Sequence, residues 1–241
     1  MTQAATKSAP KRAAIMQPTF LPWLGYFGLM ASVDLFVFLD DVQFDKRSWQ
    51  QRNRIKTPNG VIWLTVPVLT KGRRDQTINE AEIQPDAKFP DAMWRTLEMS
   101  FAKAPFAGRY LPELRGIMAE NATRVGDLNI AIINWMAAHF GISTPTRRAS
   151  ATPVSSAKAD RLVDLCRAHD VTDYLSPPGS KAYLDESDAF ANAGIALDYF
   201  DYAHPQYAQL YGAFEPYMSA LDLLVNEGPK AGEILRAGLK T

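Results

Sequence analysis

The sequence predicts an α/β fold, a mostly parallel sheet with a helical insertion. Short apolar runs end in polar or proline-containing turns, and they alternate with stretches of helical spacing. One long interval, about residues 88–141, carries helical spacing alone. The chain has 241 residues, 47% hydrophobic and 22% charged, a composition that supports a sizeable core. The expected organisation is a disordered, polar, Ala-rich tail over residues 1–11, then a single α/β domain over residues 12–241 that contains the insertion.

Taken in order, residues 13–16 read as a buried strand closed by Gln17-Pro18, because proline removes a ladder donor. Residues 24–31 read as a helix and residues 35–39 as a second strand ended by Asp40-Asp41, which together make a parallel crossover. A polar, aromatic and basic stretch over residues 44–56, the turn Pro58-Asn59-Gly60 and the β-rich residues 61–68 suggest a hairpin. Residues 71–76 are charged and contain Gly72, which suits a surface loop.

Three helices are expected across the insertion, with Met93, Trp94, Leu97 and Phe101 on the inner face of the first. Alternation then resumes, with a strand over residues 146–152, a helix over 157–168 and a strand over 173–175 before Pro177-Pro178-Gly179. A helix over residues 187–194 closed by Gly194, an alternating strand over 195–202 and an amphipathic helix over 215–225 complete the reading.

Charge balances at 26 basic against 26 acidic residues, so no net field favours nucleic acid or an anionic membrane surface. The one cysteine, Cys166, forms no internal disulfide and sits in a helical pattern, consistent with a reducing compartment and a buried small hydrophobe. The first residues lack the apolar segment of a secretory signal, and no apolar run reaches the roughly 18 residues that span a bilayer. A cytoplasmic location without a membrane span is therefore expected.

In open α/β sheets ligands gather beyond the carboxyl ends of strands, where loops and helix N-termini converge. Three regions qualify. The first, residues 17–26, holds Gln17 and Tyr26, with Gly25 allowing close backbone approach and a following helix N-terminus suited to anions; it reads equally as an aromatic packing turn. The second joins Asp40, Asp41 and Gln43 to Arg47, Arg52, Asn53, Arg54 and Lys56. Its carboxylates could orient a metal, hydroxyl or amine and its cations could hold phosphate, although an Asp-Asp pair also caps turns and basic residues also form solvated faces.

The third region, YLSPPGSKAY over residues 174–183, places Gly179, Lys181 and Tyr183 on a loop that could wrap a small ligand or form a rigid connection. His204 lies outside regular patterns and is the histidine best placed for acid/base work, with an ordinary structural role equally open. Phosphate-loop, dinucleotide, paired CxxC and HExxH motifs are absent from the sequence, so no dedicated metal site is expected. The sequence demands no cofactor; ATP, with Mg²⁺ held transiently by Asp40 or Asp41, is the one it could accommodate.

The strings IMQPTFLPWLGYFGLMASVDLFVFLDDVQF, SWQQRNRIKTPNG and WLTVPV, followed by YLSPPGSKAYL, DYAHPQYAQLYGAFEPYMSALDLL and VNEGP, resemble the WbqC-like proteins over nearly the whole chain after Lys11. The resemblance implies a cytoplasmic transferase of surface-polysaccharide (lipopolysaccharide O-antigen) biosynthesis. Its expected reaction moves a glycyl or other acyl group from an amino acid or acyl donor onto the amine of a nucleotide-linked amino sugar. The alternative is a non-catalytic protein of the same pathway that binds a sugar nucleotide or a partner enzyme.

Carried onto matching positions, ligand roles fall on Gln17, Tyr26, Asp40, Gln43, Arg52, Asn53, Lys56, Gly179, Lys181, Tyr183 and Tyr207, and catalytic roles on Asp41 and His204. Arg52 and Lys56 would hold a phosphate, Asp41 or His204 would take a proton from the amine, and backbone amides after Gln17 would stabilise developing negative charge. The opening strand, turn and helix are also similar to nucleotidyltransferase-like, Rossmann-type folds. Those enzymes place histidines in the turn where this sequence has Trp23 and Tyr26, so the likeness is one of fold rather than of adenylyl transfer.

Overall fold

The computed structural model describes residues 11–85 and 88–240. Except for Lys11, the expected tail over residues 1–11 lies outside the described residues. Lys11 itself is tied down, its amide donating to Thr172 Oγ1 at 3.0 Å and its ammonium to the His169 carbonyl at 2.6 Å.

Strand β1 (Arg12–Met16), helix α1 (Leu24–Ala31) and strand β2 (Leu35–Phe38) form the expected crossover. Ala13, Ala14 and Ile15 are buried in succession, as a central strand covered on both faces requires. Strands β3 (Arg52–Thr57) and β4 (Gly60–Thr65) make an antiparallel hairpin in which Thr57 pairs with Gly60. Gly60 has φ +101°, a conformation that only glycine adopts cheaply. Helices α2 (Asp91–Phe101), α3 (Ala107–Glu120) and α4 (Val125–His139) occupy the interval of helical spacing.

Strand β5 (Thr146–Arg148) stops before the expected Thr152. The Asp40 carboxylate takes the Ser150 amide at 2.9 Å and the Ser150 hydroxyl at 2.8 Å, which removes that amide from sheet pairing and turns the chain into a short 3₁₀ segment. Helix α5 (Lys158–Ala168), strand β6 (Asp173–Ser176), helices α6 (Lys181–Asp185) and α7 (Ala189–Ala193), strand β7 (Ala196–Tyr199) and helices α8 (Leu221–Glu227) and α9 (Ala231–Arg236) follow. Gly194, with φ +66°, closes α7 as its position predicts.

The helix expected over residues 215–225 begins only at Leu221. Upstream, the Ser219 amide donates to the Arg54 carbonyl at 3.0 Å and the Ala220 amide to the Pro22 carbonyl at 2.8 Å, so tertiary bonds replace helical ones. The preceding segment becomes a strap lying against β3 and the turn before α1.

The sheet runs β5-β2-β1-β6-β7 with every neighbouring pair parallel. The chain moves outward from β1 to β2 and β5, then returns to β6 on the other side of β1 and continues to β7. The strand order therefore reverses between β1 and β6, which is the topological switch point. Ala14, Phe36 and Phe38 face a core shared with α1, the hairpin, α2 to α4, α8 and α9. Ala13, Ile15, Leu35 and Val37 face the opposite layer, where Leu162, Cys166 and Phe190 pack. Burial there pushes the Cys166 thiol up to about 12, so it stays protonated. Among the described residues, no helix is long and apolar enough to cross a membrane.

Candidate functional site

A cavity of about 510 Å³ opens at the switch point. Ile15, Met16 and Gln17 bring the end of β1 to it, Tyr174 and residues 177–180 bring the end of β6, and Gly25 and Tyr26 bring the first turn of α1. A second cavity of about 340 Å³ shares Met16, Thr19, Trp23, Tyr26 and Trp49 with the first and continues to Asn53, Arg54 and Tyr217. The two are compartments of one cleft, each in the size range of small-ligand sites.

The walls are fixed from behind by a polar chain. Asn129, fully buried on α4, donates to the carbonyls of Pro18 at 3.0 Å and Gln50 at 2.7 Å, which pins the two loops together. The Gln50 side chain then donates to Gln17 Oε1 at 2.9 Å and accepts the Asp45 amide at 2.7 Å. Tyr26 donates its hydroxyl to the Gln17 carbonyl at 3.2 Å, and burial pushes its phenol well above the usual value, so it remains a neutral donor. Such second-layer bonding holds ligand-facing groups in place.

Helix α1 starts without a side-chain cap and without an acidic residue in its first turn. Its N-terminal dipole is therefore uncompensated where Gly25 and Tyr26 meet the cavity. Gly25 has a steric role as well: a Cβ there would lie 2.1 Å from the Trp23 ring, so only glycine lets the indole lie over the helix start.

The inner compartment is lined mostly by apolar and aromatic side chains; Gln17, Thr19, Ser48, Gln50, Ser180 and Tyr183 add amides and hydroxyls, and the solvent-exposed Asp45 is its one charged side chain. The outer compartment is likewise mostly apolar and aromatic. Trp49, Tyr217 and, on the inner rim, Tyr183 are 49%, 51% and 43% exposed, which leaves their faces open to a ligand. Arg54 is its one charged side chain. The Arg54 guanidinium lies 6.0 Å from the Trp49 ring and 5.9 Å from that of Trp63, while Arg52 lies 4.3 Å over Trp63.

Of the expected ligand residues, the structure gathers Gln17, Tyr26, Gly179 and Tyr183 around the inner compartment and Tyr26 and Asn53 around the outer one. Asn53 also holds the turn before α1, donating to the carbonyls of Phe20 at 3.2 Å and Leu21 at 2.7 Å. Arg52 stands on the same face of β3 as Arg54 but does not line the cavity.

The other expected residues do not line the cleft and have partners elsewhere. Asp40 is fully buried on Ser150, and Asp41 accepts from Arg161 at 2.5 Å with its second oxygen buried and unpartnered, so the two carboxylates serve different neighbours and do not form a pair open to Mg²⁺. Gln43 donates to the Arg74 carbonyl at 3.2 Å. Lys181 pairs with Asp185 at 2.9 Å and lies 4.2 Å from the Tyr199 ring.

Lys56 points to the far side of the hairpin, where its buried ammonium donates to Gln209 Oε1 at 3.3 Å and to the Ala213 carbonyl. Tyr207 and Asp222 neighbour that group. Burial pushes the Tyr207 phenol far up, with the Asp222 charge adding to the shift, and it raises Asp222 to about 6 despite the opposing pull of Tyr207, Gln209 and Lys56.

His204 sits behind the outer wall, stacked on Trp23 with ring centroids 6.2 Å apart. Its Nδ1 lies 2.9 Å from the Pro205 carbonyl and its Nε2 accepts the Tyr217 amide at 3.2 Å, a pattern that assigns the neutral Nδ1–H tautomer. Desolvation holds its pKa below the usual histidine value, partly offset by the bond to Pro205. Both nitrogens are engaged, so the ring positions Tyr217 and has no free lone pair for an amine.

Sequence reasoning did not single out Asp45 or Tyr217 as site residues, whereas Arg54 and Ser180 fall within the second and third candidate regions. Period-two alternation puts Arg54 on the face of β3 that carries Arg52. Tyr217 had no local signal, because its place depends on the strap.

The family model of the WbqC-like protein family matches residues 17–234. The uncharacterized protein Rv1507c of Mycobacterium tuberculosis is 40% identical over 228 residues, covering 94% of this chain and 98% of the relative. No solved structure matches the chain significantly. With a match that spans most of the chain, and a relative aligned over nearly its full length, the protein belongs to the WbqC-like protein family.

Proposed function

We propose that the protein holds a nucleotide-linked amino sugar in the switch-point cleft and serves surface-polysaccharide assembly by transferring a glycyl or other acyl group to the sugar's amine. The observation that supports this reading is the cleft itself, apolar and aromatic in both compartments, with amide and hydroxyl groups and one carboxylate in the inner one and one arginine in the outer. Aromatic faces suit sugars and bases, amides and hydroxyls suit sugar hydroxyls, and guanidinium groups suit phosphates.

In this reading Asp45 takes the place first expected of Asp41 and His204. The amine nitrogen attacks the carbonyl carbon of an activated acyl donor, the carbon–nitrogen bond forms, the donor's leaving group departs, and the proton lost by nitrogen passes to the Asp45 carboxylate. The uncapped N-terminal end of α1, whose Tyr26 amide donates to the Trp23 carbonyl at 3.1 Å, contributes the positive dipole end that the developing negative charge would meet. Pathway and acyl chemistry rest on family resemblance; ligand class rests on the cleft.

Purified protein incubated with a panel of nucleotide-linked amino sugars and activated glycyl donors is expected to yield products heavier by one glycyl residue. Asp45→Asn should abolish that product without changing the melting temperature. Tight binding without product across the panel would favour the non-catalytic alternative, for which the engaged nitrogens of His204 and the ion-paired Asp41 already speak. Neither product nor binding would sink both.

A further inference from the structure

The two compartments differ in the sign of their one charged side chain, Asp45 in the inner and Arg54 in the outer, and this difference bears on the direction in which a ligand lies. Arg54 reaches the Tyr217 carbonyl at 3.4 Å, and its Nε is buried without a hydrogen-bond partner. Among the described residues neither Arg54 nor Arg52 has a carboxylate within ion-pair distance, although Arg12, Arg148 and Arg161 all do. Two cations without counter-charges thus stand together on one face of β3, one of them lining the outer compartment. The aromatic pair Trp49 and Trp63, 5.2 Å apart, lies against both guanidinium groups and orients them.

The inner compartment has no Lys or Arg among its lining residues and one carboxylate, Asp45, which makes no ion pair among the described residues. A diphosphate placed there would meet a like charge and no cation. A sugar ammonium would meet Asp45 and the surrounding amides and hydroxyls.

Resting on the reading of the cleft as a sugar-nucleotide site, we infer that the outer compartment is the nucleoside diphosphate end, with the base against Trp49 and Tyr217, the diphosphate on Arg54 and the amino sugar directed inward to Asp45. Tyr217 and Trp49 supply faces for any base, so stacking alone does not set base identity. Arg54 is then a specificity residue for the diphosphate, and Asp45 one for the amine.

Calorimetric titrations of the full chain with uridine, thymidine and guanosine diphosphates, and with the matching amino-sugar nucleotides, test this directly. Arg54→Gln and Trp49→Ala are expected to weaken a nucleoside diphosphate and its sugar nucleotide alike, by about tenfold or more, the loss of one charge-assisted contact or one stacking face. Asp45→Asn is expected to leave nucleoside diphosphate binding unchanged and to weaken the amino-sugar nucleotide alone. Arg54→Lys, which keeps the charge, should restore part of the affinity, and unchanged melting temperatures would show that the variants fold.

The reverse pattern, with Asp45→Asn weakening the diphosphates and Arg54→Gln without effect, would overturn the orientation and leave the sugar-nucleotide reading standing. Wild-type affinity in all three variants would place the ligand outside this cleft. A wild-type protein that binds none of the probes would remove the sugar-nucleotide reading itself.

Discussion

The backbone amide of Tyr217 donates to Nε2 of His204 across 3.2 Å, and this bond holds a residue whose φ is +60°, in the left-handed region that non-glycine residues adopt only under constraint. Through it, a histidine outside the cleft sets one of the cleft's walls. Burial favours neutral His204, so its contribution is complete above the ordinary histidine pKa of about 6.5 and is lost as pH falls through its lower folded value. Ligand affinity of the wild type should therefore drop as pH falls below about 6.5. His204→Phe, which keeps a ring over Trp23 but has no acceptor, should bind a few-fold more weakly at pH 7.5 and lose that pH dependence in parallel titrations.

Gly25→Ala drives a methyl into the Trp23 indole, which is itself wedged among Tyr202, His204 and Tyr217. Overpacking of this kind costs about 1–3 kcal/mol. Because the indole borders both compartments, its displacement should reduce ligand binding more than the stability loss alone accounts for. Denaturant unfolding and ligand titration of the same variant separate the two effects, and unchanged binding would mean that Trp23 does not shape the cleft.

Asp222 offers a stability prediction. Its carboxyl is 1% exposed and raised to about 6, so the folded state holds a proton that the unfolded chain releases near pH 4. The stability linked to that proton is fully present below about pH 4 and is lost as pH rises through about 6. Asp222→Asn keeps the shape and removes the charge. It should raise stability at pH 7 to 8 by up to roughly 3 kcal/mol, and flatten the pH dependence between 4 and 6, in chemical denaturation curves.

The ion pair of Asp41 with Arg161 ties the end of β2 to α5, with side chains 20% and 17% exposed. Arg161→Leu leaves the carboxylate without its cation and should cost about 1–3 kcal/mol, less than breaking a fully buried pair because water still reaches both groups. The double change Asp41→Asn with Arg161→Leu should recover part of that loss. If Asp41 instead serves the reaction directly, Asp41→Asn alone would abolish product formation while Arg161→Leu would leave it largely intact.

Local chemistry made most of the sheet legible. The apolar runs at β1 and β2, the Pro58-Asn59-Gly60 turn and the glycine cap of α7 each act within a few residues of where they are written. The first and third candidate regions came from the same logic, since strand ends next to proline and glycine do converge at the switch point. What stayed hidden depended on distant partners. Nothing near Lys56 announces that residues 207–222 cover its side of the hairpin, and nothing near His204 announces that Tyr217 will occupy its second nitrogen. Asp40 looked like a strand-end ligand because its partner, Ser150, lies 110 positions away.

Placement of the ligand at the switch point is tested most directly by a crystal structure of the protein grown with a nucleotide-linked amino sugar. Density filling the cleft between Gln17 and Tyr183, and reaching Arg54, is the expected result. A ligand bound at any other surface, with the cleft empty in the same crystal, would contradict it.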